Sequence, residues 1–239
     1  VRPISTEPIR QQTRMRRQQQ QPPRRPPWST PLIAGGIVLV GVAIVAAVFV
    51  IGRGGSASAS PGTSVAALGE NCPTSQPAAL PAGQTRTVTI TTTEGDIVIQ
   101  VKADLSPIAA GNFVALASCG FYDGLVFHRV VPDFVIQGGD PKGDGTGGPG
   151  YTIKDEPVTA TYGRGTVAMA RNSQPDSQGS QFFIVLSDDA KTSLASANTY
   201  AIFGTVVGGM DVVDTIATAA DKENPTNPIE MVSVKVATP

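Results

Sequence analysis

The side chains of this chain that could do chemistry concentrate in residues 127–148. They read Phe127-His-Arg-Val-Val-Pro-Asp-Phe-Val-Ile-Gln-Gly-Gly-Asp140, then Pro-Lys-Gly-Asp-Gly-Thr-Gly-Gly148. Period-two alternation sends Phe127, Arg129 and Val131 to one face of a strand, and His128 and Val130 to the other. A guanidinium on an otherwise apolar strand is costly to bury unless it is paired or put to use. Arg129 is therefore the residue whose purpose the rest of the chain must supply.

The familiar catalytic constellations do not fit. His128 is the one histidine of the chain, so a histidine-rich metal site is excluded. Cys72 and Cys119 are the two cysteines, too far apart and too few for zinc. No metal and no cofactor are expected. A Ser-His-Asp triad would need an activated serine beside His128. No G-x-S-x-G occurs, and Ser180 in Gln-Gly-Ser-Gln lacks the elbow glycines. His128 thus reads as a structural histidine facing inward. Neither cysteine has a neighbouring base to make it a nucleophile. Asp140 and Asp144 suggest calcium, but the twelve-residue loop ending in Glu is absent. Gly145 to Gly150 matches G-x-G-x-x-G, yet Pro149 and a strand-like Tyr-Thr-Ile follow where a dinucleotide site needs a helix. The glycines are better explained by a turn whose backbone comes close to something else.

The elements that must position these residues are mostly strands. Val88 and Ile90 alternate with Thr over Thr87–Thr92, Glu94-Gly95 turns, and Ile97–Val101 returns. Further strands are expected at Phe127–Val131, Val135–Gln137, Gly165–Ala170, Phe182–Leu186, Tyr200–Val207 and Ile229–Val236. Of these, Phe182–Leu186 would by default be core, but alternation puts Gln181 and Phe183 on one side. Residues 171–179 form a polar loop. Helices are expected from Pro107 to about Cys119-Gly120, and from Met210 to Ala219 after Gly208-Gly209. Many strands and two helices predict a mainly β fold, a closed antiparallel barrel with a helix at each end.

Before that domain the composition changes. Residues 1–31 hold seven arginines and one acid, Glu7, among Gln and Pro, and read as a disordered basic segment. Leu32 to Ile51 is an uncharged apolar run of twenty residues; at about 1.5 Å each it spans the roughly 30 Å hydrocarbon core. Basic residues on its N-terminal side put the N-terminus in the cytoplasm. The rival is a cleavable signal peptide ending near Ala57-Ser58-Ala59, against which stand the length of the run and of the leader. Either way the remainder is expected outside the cytoplasmic membrane. Residues 52–85 read as a small-residue linker. Cys72 lies in it, and an oxidising compartment permits a bridge to Cys119, two free thiols being the alternative. After residue 51 there are eleven basic and eighteen acidic residues, so nucleic acid is not an expected partner.

Phe127 to Asp140, Gly145-Thr-Gly-Gly, Met169-Ala-Arg-Asn, Gly179-Ser-Gln-Phe-Phe-Ile and Ile202-Phe-Gly closely resemble the cyclophilin family of peptidyl-prolyl cis-trans isomerases. The resemblance covers about residues 86–237, with the motifs in family order, and implies an eight-stranded cyclophilin-like barrel. It also implies roles. Arg129 would donate towards the prolyl nitrogen, localise its lone pair and weaken amide resonance. Since a guanidinium does not titrate in the working range, activity should vary little with pH. Phe134, Val135 and Phe183 match positions lining the proline pocket, and Gln137 and Gln181 match polar positions near the substrate carbonyls. Thr146, Ala170, Arg171 and Asn172 match the groove for residues before proline, Arg171 standing where Asn is frequent. Tyr200 stands where many members carry His. Where many carry Trp-Leu, residues 191–198 hold no aromatic residue and Leu194 is the best match for the Leu. Because the family's Trp is associated with tight cyclosporin binding, weak binding is expected.

The resulting expectation is a monomeric, membrane-anchored isomerase acting on proline-containing exported polypeptides. A tethered proline-peptide binding module or chaperone with incidental catalysis is the alternative from another class. A barrel carrying a small apolar ligand would need an open interior, whereas the inward positions are filled by Phe, Ile and Val.

Overall fold

A computed structural model of the chain describes residues 71–237. The basic segment 1–31, the apolar run 32–51 and the first part of the linker lie outside the described residues. Among those described, no helix is long and apolar enough to cross a membrane.

Strands β1 (Thr85–Thr92) and β2 (Gly95–Lys102) form the first hairpin. The Thr92 hydroxyl accepts the Glu94 N–H at 3.0 Å and donates to the Gly95 carbonyl at 2.8 Å, closing the turn. Every second residue faces the core, Val88 and Ile90 from β1, Ile97, Ile99 and Val101 from β2. Helix α1 (Pro107–Ser118) follows, with Pro at its start, where a missing N–H costs nothing. Ser106 makes no side-chain cap. Instead Glu156, far along the chain, accepts the N–H groups of Ile108 and Ala109, each at 2.8 Å, and its charge suits the positive end of the helix dipole.

The remaining strands are β3 (Leu125–Val126), β4 (Arg129–Val131), β5 (Val135–Gly138), β6 (Thr166–Met169), β7 (Phe182–Val185), β8 (Ile202–Gly208) and β9 (Glu230–Val236). Helices α2 (Ala190–Ala197) and α3 (Met210–Ala219) lie on either side of β8 in the chain. All strands join one nine-stranded antiparallel sheet in the order β3-β9-β1-β2-β8-β6-β7-β5-β4.

The sheet has nine strands where eight were expected, because the two-residue β3 adds an edge beside β9, and two further parts of the expected architecture are corrected. The barrel is not closed: the sheet curls into a half-barrel, with β3 and β4 at its two edges and no described ladder between them. The donors nearest the gap are taken by the chain before and into β9, since Phe127 N–H bonds the Ile229 carbonyl at 2.9 Å and Val130 N–H the Glu223 carbonyl at 2.7 Å. That detour also overturns the expected facing of residue 127, because Phe127 and Val130 both enter the core and strand alternation starts only at Arg129. Secondly, there are three helices, not two. Helix α2 buries only Ala190 and Leu194, four residues apart, and is otherwise small and polar, so it carries no apolar stripe to announce it.

The sheet separates two apolar clusters. Inside the curl, Phe113 of α1 stacks on Tyr122, Phe182 and Phe203 with ring centroids 5.2, 5.3 and 4.7 Å apart. Outside it, Val135, Ala168, Phe183, Val185 and Ile202 pack with Tyr162 and with Ala190 and Leu194 of α2. The chain before β1 also belongs to this body. Cys72 and Cys119 are joined in a disulfide, Leu80 N–H bonds the Pro107 carbonyl at 2.9 Å, and Leu80 is buried in the inner cluster. Gly111 makes this passage possible, because a Cβ there would run into the Ala78 carbonyl and lie 2.8 Å from the Leu80 nitrogen.

Candidate active site

Strand register assembles the site. Arg129 pairs with Gln137, Gln137 with Phe183, Phe183 with Ala168 and Ala168 with Ile202. Residues directly opposite in adjacent strands share a face, so these five form one row across β4, β5, β7, β6 and β8 on the outer side of the curl. The next row brings Val135 beside Val185. Residues remote in the chain thereby become neighbours.

Around this row lies a cavity of about 170 Å³ whose walls are Phe134, Val135, Phe183, Leu194 and Tyr200, with Arg129, Gln137, Ala170 and Arg171 at its edge. Phe183 forms an apolar floor and meets the Tyr200 ring edge-on at 5.4 Å. Behind them stands Tyr162, a residue that sequence reasoning missed. Its hydroxyl donates to the Tyr200 carbonyl at 3.0 Å and accepts the Tyr200 N–H at 3.2 Å, fixing the wall that Tyr200 presents. Burial raises the Tyr162 pKa, so it acts here as a neutral phenol.

A second, larger depression of about 610 Å³ adjoins the first and shares Gln137, Ala170 and Arg171 with it. Thr146, Asn172 and Gln181 line it, together with the glycines of the 145–150 loop. The residues expected from sequence to act on or bind the substrate therefore line one of two contiguous depressions, and Cys72 and Cys119 line neither. Arg171 contributes backbone more than side chain. Its guanidinium is tied to Asp155 at 3.0 Å and to the Gln174 carbonyl at 2.6 Å, so it is not free to reach across the groove.

The polar groups form a continuous relay. Arg129 Nη1 donates to Gln137 Oε1 at 3.4 Å, Gln137 Nε2 to Gln181 Oε1 at 2.9 Å, and Gln181 Nε2 to the carbonyls of Gly145 and Gly147 at 3.0 and 2.9 Å. At the other end Arg129 Nε donates to Glu223 Oε1 at 2.7 Å. Nη2 alone has no partner among the described residues.

The glycine loop has its own anion. Asp140 is buried, and its carboxylate accepts N–H groups from Lys142, Asp144 and Gly145 at 2.8, 3.2 and 2.6 Å. A nest of successive backbone N–H groups commonly holds phosphate; here the chain's own carboxylate fills it. A Cβ on Gly147 would collide with that carboxylate. The "something else" that the glycines must approach is Asp140.

His128 faces inward, 6% exposed, and neither ring nitrogen has a hydrogen-bond partner among the described residues. Burial lowers its pKa; Asp140, Asp144 and the nearby Val126 backbone, too poorly placed to count as a hydrogen bond, pull it up and Arg129 pushes it down by smaller amounts. A folded-state pKa below the unfolded value of about 6.5 means that the unfolded chain binds the extra proton first. The stability this contributes should be full above about pH 6.5 and be lost as pH falls from there towards the lower folded-state pKa. Urea titrations at pH about 7.5 and about 5.5, either side of that value, check this. His128→Phe should shrink the difference, and an unchanged difference would remove His128 as its source.

The chain is similar to several known proteins. The sequence profile described as "Cyclophilin type peptidyl-prolyl cis-trans isomerase/CLD" matches residues 87–236. A peptidyl-prolyl cis-trans isomerase of Acinetobacter baylyi is 40% identical over 161 residues, covering 62% of this chain and 84% of the relative. Peptidyl-prolyl cis-trans isomerase A of Dickeya dadantii is 38% identical over 162 residues, with coverages of 62% and 83%. The crystal structure of a Cryptosporidium parvum cyclophilin-type isomerase in the presence of the dipeptide Ala-Pro superposes with a TM-score of 0.57 at 32% identity, over 64% of this chain and 99% of that one.

Proposed function

Given that the chain belongs to the cyclophilin family and is a peptidyl-prolyl cis-trans isomerase (EC 5.2.1.8), we propose that Arg129 drives the rotation while the outer apolar cavity holds the proline ring. The X-Pro bond resists rotation by roughly 18–20 kcal/mol because the nitrogen lone pair is delocalised into the carbonyl. Rotation breaks no covalent bond, so it needs neither nucleophile nor metal. A donor aimed at the prolyl nitrogen competes for its lone pair, and this donation strengthens as the amide twists and the nitrogen becomes pyramidal. Such differential stabilisation of the twisted state is what catalysis requires. The observation that carries the reading is the cross-strand row, which sets the Arg129 guanidinium and the Gln137 amide beside the Phe183 floor. A ring seated on Phe183, between Phe134 and Tyr200, fixes one end of the bond while the preceding residues turn in the glycine-lined groove. Turnover of a prolyl peptide by the Arg129→Ala protein tests it.

The substrates proposed are proline-containing segments of exported proteins, and the enzyme is proposed to work outside the cytoplasmic membrane, tethered by residues 32–51. Two observations support this: the uncharged run itself, and the Cys72–Cys119 disulfide, which persists in oxidising compartments. A monomer is proposed because the large hydrophobics exposed among the described residues are Val207 and Val232, too few for an obligate interface.

Cyclosporin should bind weakly. The pocket rim contributed by α2 offers Leu194 and no aromatic ring. Titration of prolyl isomerase activity with cyclosporin should give an inhibition constant in the micromolar range or weaker. Nanomolar inhibition, tighter by about 4 kcal/mol, would overturn the expectation.

A further inference from the structure

The geometry points to Glu223 as a positioning residue that holds the Arg129 guanidinium in its working orientation through Nε. The inference rests on the reading of Arg129 given above and adds to it a residue outside both depressions. Arg129 projects from the edge strand β4, with its side chain 34% exposed, and a long side chain at an edge has many rotamers open to it. Two contacts restrict it. Gln137 takes Nη1 at 3.4 Å, a long bond, and Glu223 takes Nε at 2.7 Å, the shorter and charge-assisted one. A planar guanidinium gripped at Nε and Nη1 has its orientation set, and Nη2 is the nitrogen left without a partner among the described residues.

Glu223 is itself held. Its carbonyl accepts the Val130 N–H at 2.7 Å, so the residue that grips Arg129 is bonded to the strand position next to it. The loop around it is closed by Asp221, whose carboxylate accepts the Thr226 N–H at 2.9 Å and hydroxyl at 2.7 Å. An exposed ion pair contributes little to stability, and Glu223 is 58% exposed in this pair. Its consequence lies in where it leaves the donor. The negative charge also opposes the pull of Arg129 on the substrate nitrogen, but at this exposure water screens that effect strongly, so orientation outweighs it.

The test uses the full chain and separates kcat from KM on a prolyl peptide by exchange spectroscopy, alongside thermal unfolding. Glu223→Ala should lower kcat about tenfold with KM and Tm nearly unchanged, since small misplacements of a reacting group have effects of this order or larger. Glu223→Gln keeps an acceptor oxygen and should retain about half of wild-type kcat or more. In an Arg129→Lys background, which has no Nε–H fork to orient, Glu223→Ala should cause no further loss. A fall of less than about twofold in Glu223→Ala overturns the inference. So does a Gln variant as slow as Ala, or a loss that persists in the Arg129→Lys background. If Arg129→Ala turns over at the wild-type rate, the reading of Arg129 and the inference fall together. An inactive Arg129→Ala beside a fully active Glu223→Ala overturns the inference alone.

Discussion

Arg129→Ala should lower kcat/KM for a prolyl peptide by about 100- to 1000-fold, the usual cost of deleting one preorganised donor aimed at a transition state. That range corresponds to roughly 3–4 kcal/mol taken from the stabilisation of the twisted amide. The cavity survives the change, because its floor and walls come from Phe183, Phe134, Tyr200 and Leu194. Peptide binding should therefore weaken little, and the loss should fall on kcat. The same split distinguishes catalysis from mere capture. A protein that retained peptide affinity and its cellular role without turnover would be a binding module. Arg129→Lys preserves the charge but loses the planar fork that Glu223 and Gln137 grip, and should recover only a small part of the rate. A protease-coupled assay measures both variants; wild-type turnover in Arg129→Ala would end the proposed mechanism.

Breaking the Cys72–Cys119 bond should destabilise the domain by about 2–4 kcal/mol. The bond closes a loop with a sequence separation of 47, for which chain entropy alone gives about 4 kcal/mol, and observed values run lower when the reduced chain retains structure. For a domain of this size the corresponding fall in Tm is roughly 6–12 °C. Reduction with dithiothreitol or a Cys72→Ser substitution should give the same shift, and reductant should not shift the variant further. Activity of the folded protein at room temperature should be unchanged, because both cysteines pack on the inner cluster and neither lines the substrate depressions. The bridge anchors the passage of residues 78–80 over α1, and a protein lacking the residues before 84 should lose more, because it also gives up the buried Leu80. A Tm unaffected by reductant would mean that the docked Leu80 alone suffices to hold that passage.

The strands were legible where a period-two pattern met a turn: Thr87–Thr92 and Ile97–Val101 around Glu94-Gly95 are such a case, and β1 and β2 exceed them by only one or two residues at an end. Helix α3 begins and ends where expected, since Gly208-Gly209 marks its start and its apolar residues recur at helical spacing. Helix α2 was not legible, because its stability comes from Leu194 docking on a cluster built by distant strands and not from its own composition. Closure of the barrel was a matter of two backbone donors, Phe127 and Val130, being taken by residues near 223 and 229; no local pattern reports that. The pocket residues were reached through resemblance, and the register then explains why they meet. Glu223 and Tyr162 had no signal of their own. One lies in a polar loop, Asp-Lys-Glu-Asn-Pro, that reads as solvated, and the other serves through a hydroxyl bonded to the backbone of Tyr200.

Because the sheet has its hydrophobic core on one side and its pocket on the other, parity decides what a substitution does. In β4, β5 and β7 the odd-numbered residues 129, 135, 137, 183 and 185 face the pocket side, while 130, 136, 182 and 184 face the core. Neighbours in the chain thus answer to different selective pressures. A lineage that changes the pocket-side positions alters which peptides it accepts, and at Val135, Phe183 and Val185, which are buried in the outer cluster, it alters folding free energy as well. Deep mutational libraries of these strands should accordingly resolve into two interleaved sets, one sensitive in turnover as well as abundance and the other in abundance alone.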